Sequence, residues 1–277
     1  MRLDLHAHTT FSDGDMTPQE LVKLAAGIGL DGVAITDHDE CRGFGEIEPA
    51  PGLTLIPGIE IAANERGSEV HVLGLDIDWR HKAMAGYAER AAGRRRRRAQ
   101  AVVDKLRAAG YDFDMEDVEK ECRGCAIGRP HIALALIKKG YAKTVDDAFE
   151  RYISREAPFY VPLEKISVEQ AAELILQASG KPVIAHPGLL KPGVFDALTP
   201  RLKDAGFWGL EAYHPSHSDG QCRLFESEAR RLSLFVTSGS DFHGVTSQRA
   251  ALGSETRGGA YLQASFADLI GGLRISS

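Results

Sequence analysis

The stretch Leu3-Asp4-Leu5-His6-Ala7-His8 is a short apolar run that ends in two histidines. Side chains alternate between the two faces of an extended strand, so both imidazoles are expected on one face. A second run, residues 32–36, has the same design, because Asp37 and His38 follow it directly. Comparable apolar runs occur at residues 53–56, 70–75, 182–185, 209–213 and 234–237. Helix-like stretches separate the runs, and this alternation predicts an α/β barrel or a related layered fold.

Length and composition limit the class of protein. The 277 residues suffice for one sizeable domain, or for a core domain with a smaller insertion, and 43% of them are hydrophobic. A net charge of -6 argues against a surface built entirely for nucleic acid, so an anionic ligand would need a local basic patch. No apolar run approaches the ~20 residues that span a bilayer, and residues 1–4 do not resemble a signal peptide. We therefore expect a cytoplasmic protein, and its four cysteines fit a reducing compartment.

Two predicted helices have well-marked beginnings. Thr17 is a candidate N-cap, Pro18 stands at the first helical position, and Glu20 completes a capping box. Ser167 and Gln170 repeat the capping box further along the chain. Both signals predict a helix that follows a strand-like run.

Polar side chains that can carry chemistry follow most of the strand-like runs. Strand C-termini that converge on one face are where α/β barrels place their active sites. Imidazole nitrogens together with carboxylate oxygens suit Zn, Mn or Fe, so these positions predict a metal centre. The candidates are His6, His8, Asp37, His38, Glu60, His186, His214, Asp241 and His243.

His71 is an exception, because it stands near the start of its apolar run. A β-hairpin resolves the difficulty. If residues 59–63 turn through residues 64–67 and return as residues 69–75, His71 comes back close to Glu60. The two side chains could then share a metal ion.

Residues 80–165 have a helical, charged pattern, and we interpret them as a helical cap inserted into a barrel formed by residues 1–79 and 166–277. The unbroken basic run at residues 94–98 is typical of a solvated helix face, since five consecutive residues cannot all point into one pocket. Cys122 and Cys125 form the chain's one CxxC, and without a second pair a structural zinc site is disfavoured.

Candidate substrate-binding residues come from two short motifs. In Gly128-Arg129-Pro130-His131, arginine offers a planar fork to phosphate oxygens, and the following helix start adds N–H groups and a favourable dipole. Arg129 and His131 are therefore candidate phosphate ligands. His214 and His217 are further candidates, and they are also the best candidates for a general acid. The alternative for each of the four is a surface or structural role.

Six separated motifs resemble the motif series of the PHP (polymerase and histidinol phosphatase) family. Order, spacing and residue types agree almost from end to end, and only the cap lies outside the match. The resemblance implies a distorted seven-stranded β/α barrel with a trinuclear metal site. The motifs are His6-Ala7-His8-Thr9, Thr36-Asp37-His38, Gly58-Ile59-Glu60, His71, Ala185-His186-Pro187 and Gly239-Ser240-Asp241-Phe242-His243.

The resemblance also distributes the candidate ligands over three metal positions, with Glu60 as a bridge between two of them. Many family members have a histidine where this chain has Asp13; a carboxylate there favours a harder cation such as Mn, and the alternative is a turn residue. Asp37 is expected behind the ligands, orienting an imidazole. The implied sets are His6, His8, Glu60 and Asp241; then Glu60, His71 and His186; then Asp13, His38 and His243.

The expected reaction is hydrolysis of a phosphate ester by a metal-bound hydroxide, because two cations ~3.5–4 Å apart lower the pKa of a bound water. Arg129, the His-Pro-Ser-His element and the cap most resemble small bacterial PHP phosphoesterases that act on nucleoside 3′,5′-bisphosphates such as pAp. The first expectation is therefore release of the 3′-phosphate to leave a nucleoside 5′-monophosphate. It uses two or three divalent cations per chain, manganese first, with zinc, iron or magnesium as alternatives.

Other functions remain open at this point. A 5′-3′ exonuclease on short RNA or DNA would use the same metals, with residues 94–98 guiding the strand. A noncatalytic metal-binding regulatory module is an alternative from another class. A histidinol phosphate phosphatase is disfavoured, because no extra acidic pocket for a cationic substrate is evident. The expected partners are a nucleotide or short oligonucleotides, with neither a membrane nor an obligate protein partner.

Overall fold

The computed structural model describes residues 2–122, 126–245, 250–254 and 267–269. Within these ranges the strands are β1 (Leu3–Asp4), β2 (Gly32–Ile35), β3 (Thr54–Glu65), β4 (Ser68–Leu75), β5 (Ile166–Ser167), β6 (Lys181–Ile184), β7 (Gly209–Tyr213) and β8 (Phe235–Ser238). Seven of them pair side by side in the order β1-β2-β3-β4-β6-β7-β8, and the short β5 joins the edge of β3.

The two ends of this sheet meet. The Leu5 N–H donates to the Ser238 carbonyl at 3.0 Å, and Ala7 pairs in parallel with Phe242. Most neighbours run parallel, but β4 is antiparallel to both β3 and β6. The predicted distorted seven-stranded barrel is thus confirmed, and the reversed strand β4 accounts for part of its distortion.

The helices are α1 (Pro18–Gly27), α2 (Lys82–Ala108), α3 (Met115–Cys122), α4 (Arg129–Lys138), α5 (Val145–Ala148), α6 (Val168–Gln177), α7 (Val194–Leu198) and α8 (Asp219–Arg231). Both predicted capping boxes are confirmed. Thr17 and Glu20 cap α1 reciprocally, and Ser167 and Gln170 do the same for α6. In each case the side chains satisfy backbone N–H groups that have no partner inside the helix.

The predicted hairpin between Glu60 and His71 is also confirmed. Strands β3 and β4 pair up to Glu65 opposite Ser68, so the turn contains only Arg66 and Gly67 and is shorter than expected. Both turn residues have positive φ, 48° and 79°, which matches the right-handed twist of the flanking strands.

The interior of the barrel is filled by aliphatic side chains and is closed at the end opposite the strand C-termini. Leu3, Leu5 and Leu73 are fully buried there, together with Leu269. The neighbouring Asp268 accepts a hydrogen bond from the Trp208 indole N–H at 2.8 Å. The barrel is therefore a packed core rather than a pore, and its chemistry is confined to the other end.

The cap has a hydrophobic core of its own, which includes Leu106, Phe113 and Ile132. Helix α2 belongs to both parts of the molecule, since Met84 and Tyr87 near its beginning pack into the core beneath the barrel helices. The predicted boundaries of the cap, at residues 80 and 165, stay a prediction. None of the described helices has the length and apolar character needed to span a membrane. Cys125 lies outside the described residues, so the predicted CxxC cannot be placed.

Candidate metal centre

Glu60 lies at the centre of the strand C-termini and is completely buried. One carboxylate oxygen, Oε1, is 2.7 Å from His71 Nδ1 and 3.1 Å from His186 Nε2. The other, Oε2, is 2.7 Å from His38 Nδ1. A single carboxylate thus touches imidazoles from three separate segments of the chain, which is the geometry of a bridging ligand.

His6 and His8 approach the same carboxylate from β1. The Nε2 atoms of His6 and His8 lie 3.4 and 3.3 Å from Glu60, and 3.4 and 3.1 Å from Asp241 Oδ1. The period of two along an extended strand therefore places both rings on one face, as the sequence predicts.

Asp13 forms a further group at the edge of the cluster. Its Oδ1 is 3.2 Å from His243 Nε2 and 3.8 Å from His38 Nε2. His8 Nδ1 is also within 3.9 Å, so Asp13 faces the imidazoles rather than serving only as a turn residue. All nine predicted ligands are brought together, in four overlapping groups whose ligand atoms lie within 4.8 Å of one another.

Several nitrogen and oxygen atoms at this centre are buried and, despite their short separations, make no hydrogen bond of good geometry among the described residues. They include Nε2 of His6 and His8, Nδ1 of His38, Oε2 of Glu60 and Oδ1 of Asp13. An unpartnered buried polar atom is costly, and lone pairs on nitrogen and carboxylate oxygen are what a divalent cation requires. The residues therefore fit a cluster of divalent metal ions.

The ionisation of the cluster is compatible with metal binding. Burial alone would raise the pKa of Glu60, but the surrounding imidazoles, with His71 and His38 the strongest, hold it well below its usual range. Burial and the neighbouring His243 and His38 lower the pKa of His8 to about 3. The central carboxylate is therefore ionised and His8 is neutral, as metal ligands must be.

Two of the candidate ligands occupy left-handed backbone conformations. His186 has a φ of 26° and Asp241 a φ of 52°, a region that costs non-glycine residues about 1–3 kcal/mol. The His186 N–H donates to Glu211 Oε2 at 2.6 Å, which helps to hold this conformation. Strain at two strand ends of this kind is typical of a functional site.

Glu211 is a residue of this site that the sequence analysis missed. Its Oε1 is 3.1 Å from Nδ1 of His6, so it orients that ring while Nε2 faces the cluster. Glu211 lies fully buried on β7 between Leu210 and Ala212, which pack into the hydrophobic core. A charged residue alternating with buried apolar ones in a strand was the available signal.

Asp37 lies behind the ligands, where its carboxylate contacts Thr9 and Ser12, and its orienting of an imidazole stays a prediction. Its carboxylate accepts hydrogen bonds from the Thr9 N–H at 2.7 Å, from the Thr9 hydroxyl and from the Ser12 hydroxyl. Ser12, 3.4 Å from Nδ1 of His8, connects this carboxylate to a ligand, and the Asp37 carbonyl accepts the Glu60 N–H at 3.0 Å. Asp37 thus positions the loop after β1 and does not face the reacting groups.

The PHP domain family model matches residues 4–155 of this chain. The chain belongs to the PHP domain family. Three relatives each align over 87% of this chain. A 5′-3′ exoribonuclease Rnm of Escherichia coli is 34% identical and is covered over 84% of its length. A 3′,5′-nucleoside bisphosphate phosphatase of Chromobacterium violaceum is 33% identical and 87% covered, and a phosphoribosyl 1,2-cyclic phosphate 1,2-diphosphodiesterase of Eggerthella lenta is 30% identical and 94% covered.

A solved structure from Bifidobacterium adolescentis, assigned by inference as a metal-dependent phosphoesterase, has a TM-score of 0.84 at 31% identity and covers 97% of this chain and 95% of its own. This PHP domain is accordingly a metal-dependent phosphoesterase, and the alternative of a noncatalytic regulatory module was wrong. The relatives named above act on different phosphate esters, so membership of the family does not specify the substrate.

His214 lies beside the metal cluster of this PHP domain. Its Nδ1 accepts the Ser216 N–H at 3.1 Å, so in the neutral ring Nε2 carries the proton. That nitrogen is 3.8 Å from Asp241 Oδ2. The ring is thus placed with a donor directed at the cluster.

The rings of His217 and His131, which the sequence predicts as substrate contacts, are both occupied by backbone groups, and their role in substrate binding stays a prediction. Nδ1 of His217 donates to the Ala212 carbonyl at 3.0 Å, and its Nε2 accepts the Gly188 N–H at 3.0 Å. Nδ1 of His131 accepts the Gly128 N–H at 2.8 Å, and the ring also bonds to the backbone of Ser12. Both buried rings use their nitrogens to hold backbone segments together.

Beside the metal cluster, a cavity of about 180 Å³ lies between the barrel and the cap. Asp13, His38 and His71 of the cluster form one wall. The cap side carries four cationic side chains, Arg95, Arg98, Arg129 and Lys165. Arg129, the predicted phosphate ligand, therefore does face the space next to the cluster.

The basic run at residues 94–98 is only in part the solvated face that the sequence predicted. Arg96 and Arg97 are exposed, but Arg95 and Arg98, three positions apart, are buried. Nε of Arg95 donates to Asp39 Oδ2 at 2.8 Å, which ties α2 to the residue after His38.

The guanidinium of Arg98 is buried near two other arginines, Arg95 and Arg129. Its side chain lines the cavity at 8% exposure, and its Nε and Nη2 have no hydrogen-bond partner among the described residues. Burial, with the neighbouring Arg95 and Arg129, lowers its pKa to about 9, so the guanidinium is still charged at neutral pH. A buried, charged guanidinium whose N–H groups lack partners among the described residues is suited to bind an anionic group.

Proposed function

We propose that this PHP domain removes the 3′-phosphate of nucleoside 3′,5′-bisphosphates and leaves a nucleoside 5′-monophosphate. The observation that carries the proposal is the set of cationic side chains, Arg98, Arg129 and Lys165, that line the cavity beside the cluster. One phosphate would bind at the metal cluster and the other at these cations. A substrate with two phosphates close together matches this arrangement better than a simple monophosphate.

The proposed roles at the cluster follow from its geometry. Divalent cations bound there would activate a water molecule for attack on phosphorus and neutralise the phosphate oxygens. His214, with its Nε2–H directed at the cluster, would donate a hydrogen bond to the leaving ribose oxygen and stabilise the negative charge that develops there. The mixed carboxylate and imidazole donors, Asp13 among them, support manganese as the first metal to test. A cytoplasmic location stays a prediction.

A 5′-3′ exonuclease is the second candidate, and the same cavity supports it. Arg98 and Arg129 would bind the 5′-terminal phosphate of an oligonucleotide as readily as that of a mononucleotide. The relative from Escherichia coli is named as such an enzyme. The exposed Arg96 and Arg97 lie on the same helix and could contact the rest of the strand.

A substrate panel separates these functions. Phosphate release is measured from pAp, 3′-AMP and AMP under Mn, Zn and Mg, with metal analysis of the purified protein. We expect pAp to be hydrolysed about 10–100-fold more efficiently than 3′-AMP, because a charged hydrogen bond to the second phosphate is worth about 1.5–3 kcal/mol. Equal rates on all three esters would overturn the proposal.

A labelled 5′-phosphorylated oligoribonucleotide tests the exonuclease. Efficient shortening from the 5′ end, with strong inhibition by salt and by substitution of Arg96 and Arg97, would favour that function over the mononucleotide phosphatase.

A further inference from the structure

Glu69 lies between the metal cluster and the cationic wall of the cavity. Its Oε1 is 2.9 Å from Nε2 of His71, and its Oε2 forms an ion pair with Lys165. The other ring nitrogen of His71, Nδ1, faces Glu60 at 2.7 Å. One imidazole therefore connects the central carboxylate to a residue that contacts the cavity cations.

His71 differs in this respect from His6, the other candidate ligand whose outer nitrogen meets a carboxylate. The partner of His6 is Glu211, which is fully buried inside the barrel. The partner of His71 has a side chain that is 42% exposed and lines the cavity. A substrate that enters the cavity can therefore reach the carboxylate that orients His71, but not the one that orients His6.

Lys165 is shared between two roles. Its side chain is only 13% exposed and lies with Arg98 and Arg129 around the cavity. A phosphate bound among these cations would compete with Glu69 for the Lys165 ammonium. If Lys165 turned toward the phosphate, Glu69 would lose its ion pair with Lys165. Its contact with His71 would then be the one that remains among these side chains.

We propose that Glu69 is a positioning residue that couples the cavity to the metal centre. It holds the His71 ring through Nε2–H, and its ion pair with Lys165 loosens when a phosphate binds in the cavity. The coupling rests on the proposed function, because it assumes an anionic group at Lys165. The positioning of His71 does not, and it can be tested without substrate.

The first experiment measures Mn²⁺ affinity calorimetrically on the full chain for the wild type, Glu69→Gln, Lys165→Met and the double variant. We expect Glu69→Gln to weaken binding by about 10–100-fold, as loss of such a partner to a metal-bound histidine typically does. In the double variant, Mn²⁺ affinity should be no weaker than in Glu69→Gln alone, because Lys165 acts on His71 through Glu69. Wild-type affinity in Glu69→Gln, or independent effects of the two changes, would overturn the proposal.

A matched control is Glu164→Gln, which removes an exposed carboxylate next to Lys165. It should bind Mn²⁺ like the wild type. Thermal unfolding of the metal-free variants checks that the chains are folded: Glu69→Gln should still unfold cooperatively, but at a lower temperature, because His71 and Lys165 lose an ion-pair partner.

The second experiment tests the coupling with adenosine 5′-monophosphate as the probe. By reciprocity, a nucleotide that shifts the position of His71 must change Mn²⁺ affinity, and Mn²⁺ must change nucleotide affinity by the same factor. We expect the nucleotide to change Mn²⁺ affinity measurably in the wild type and by a factor of about one, which means no change, in Glu69→Gln. No effect in the wild type, or the same factor in both proteins, would overturn the coupling. The substrate panel measures preferred hydrolysis of pAp independently of this result. Failure of the coupling can therefore be distinguished from failure of the proposed function.

Discussion

Two regions of the molecule face the same cavity and are suited to ligands of opposite charge. The barrel mouth is the end of the barrel where the metal cluster lies, and the cap wall is formed by Arg95, Arg98, Arg129 and Lys165. At the barrel mouth, Nε2 of His6 and His8 and Oε2 of Glu60 are buried and make no hydrogen bond of good geometry among the described residues, so this region is suited to cations. On the cap wall, the buried N–H donors of Arg98 make none with the described residues either, so that region is suited to an anion. The difference teaches that the groups suited to cations and the groups suited to an anion come from separate parts of the chain.

The two regions should therefore respond differently to substitution. Changes at the barrel mouth should lower the rate on every phosphate ester. Changes on the cap wall should instead alter the preference between esters. The four predictions below test that division, beginning with the largest expected effect.

Glu60→Gln should abolish hydrolysis of all the phosphate esters alike. Loss of the bridging charge removes metal that contributes several kcal/mol, so rates should fall on the order of 10³-fold. Activity on the substrate panel and metal content measure the effect. Glu65→Gln is the matched control, since Glu65 is buried at the end of the same strand and pairs with Arg201. Full activity of Glu60→Gln would refute the metal-hydrolase mechanism itself.

Arg98→Met should reduce the preference for pAp over 3′-AMP by about 10–100-fold, with little change on 3′-AMP. It should also stabilise the ligand-free protein. The pKa of Arg98 is lowered in the folded state, so its charge costs stability at neutral pH, and that cost fades as pH rises from about 9 toward 12.5.

Ratios of kcat/KM and chemical unfolding check both effects of Arg98→Met. Arg97→Met is the matched control on the exposed face of α2 and should change neither. An unchanged preference in Arg98→Met would place the second phosphate elsewhere.

Mn²⁺ binding should strengthen at least about tenfold per pH unit between roughly pH 7 and pH 9, because nearby carboxylates, against the effect of burial, raise the pKa of His71 and also those of His6 and His38. Burial alone would lower the pKa of His71, but Glu60 and then Glu69 raise it to about 10 in the metal-free protein. Metal must displace this proton. The stabilising ion pair of His71 is complete below the ordinary pKa of 6.5 and is lost as pH rises through about 10. Titrations at three pH values measure the slope, and a flat profile would contradict the assignment of His71.

Gly239→Ala tests how tightly the barrel mouth is packed. A Cβ at Gly239 would lie 2.2 Å from Cβ of His6 and 2.6 Å from Oε1 of Glu211. We expect a loss of about 1–3 kcal/mol in unfolding free energy, together with weaker metal binding. Gly27→Ala is the control, because no atom lies within 4 Å of that Cβ and the residue is helical, so it should be mildly stabilising. Equal melting temperatures would show that the mouth is more adaptable than its packing indicates.

The metal centre was predictable because strand geometry is regular. A period of two fixed His6 and His8, and a hairpin fixed the approach of His71 to Glu60. The cap was less predictable. The sequence gives no direct sign that Arg98 is buried, and only its spacing of three from Arg95 places the two on one helix face.

The roles of single side chains depended on contacts that no local pattern contains. His131 and His217 have the residue type of a phosphate ligand, yet nearby backbone groups occupy their rings. Glu69 stands two residues before His71 and could be recognised only once Lys165, 96 residues later, was placed beside it.

The closure of the barrel between Leu5 and Ser238 has a consequence for how the enzyme is made. His6 and His8 are synthesised more than two hundred residues before Asp241 and His243, which face them. Until then the early histidines have no complete set of neighbours. A nascent chain that ends before Asp241 therefore lacks part of the cluster, and the complete metal centre can be loaded only after residue 243 has been made.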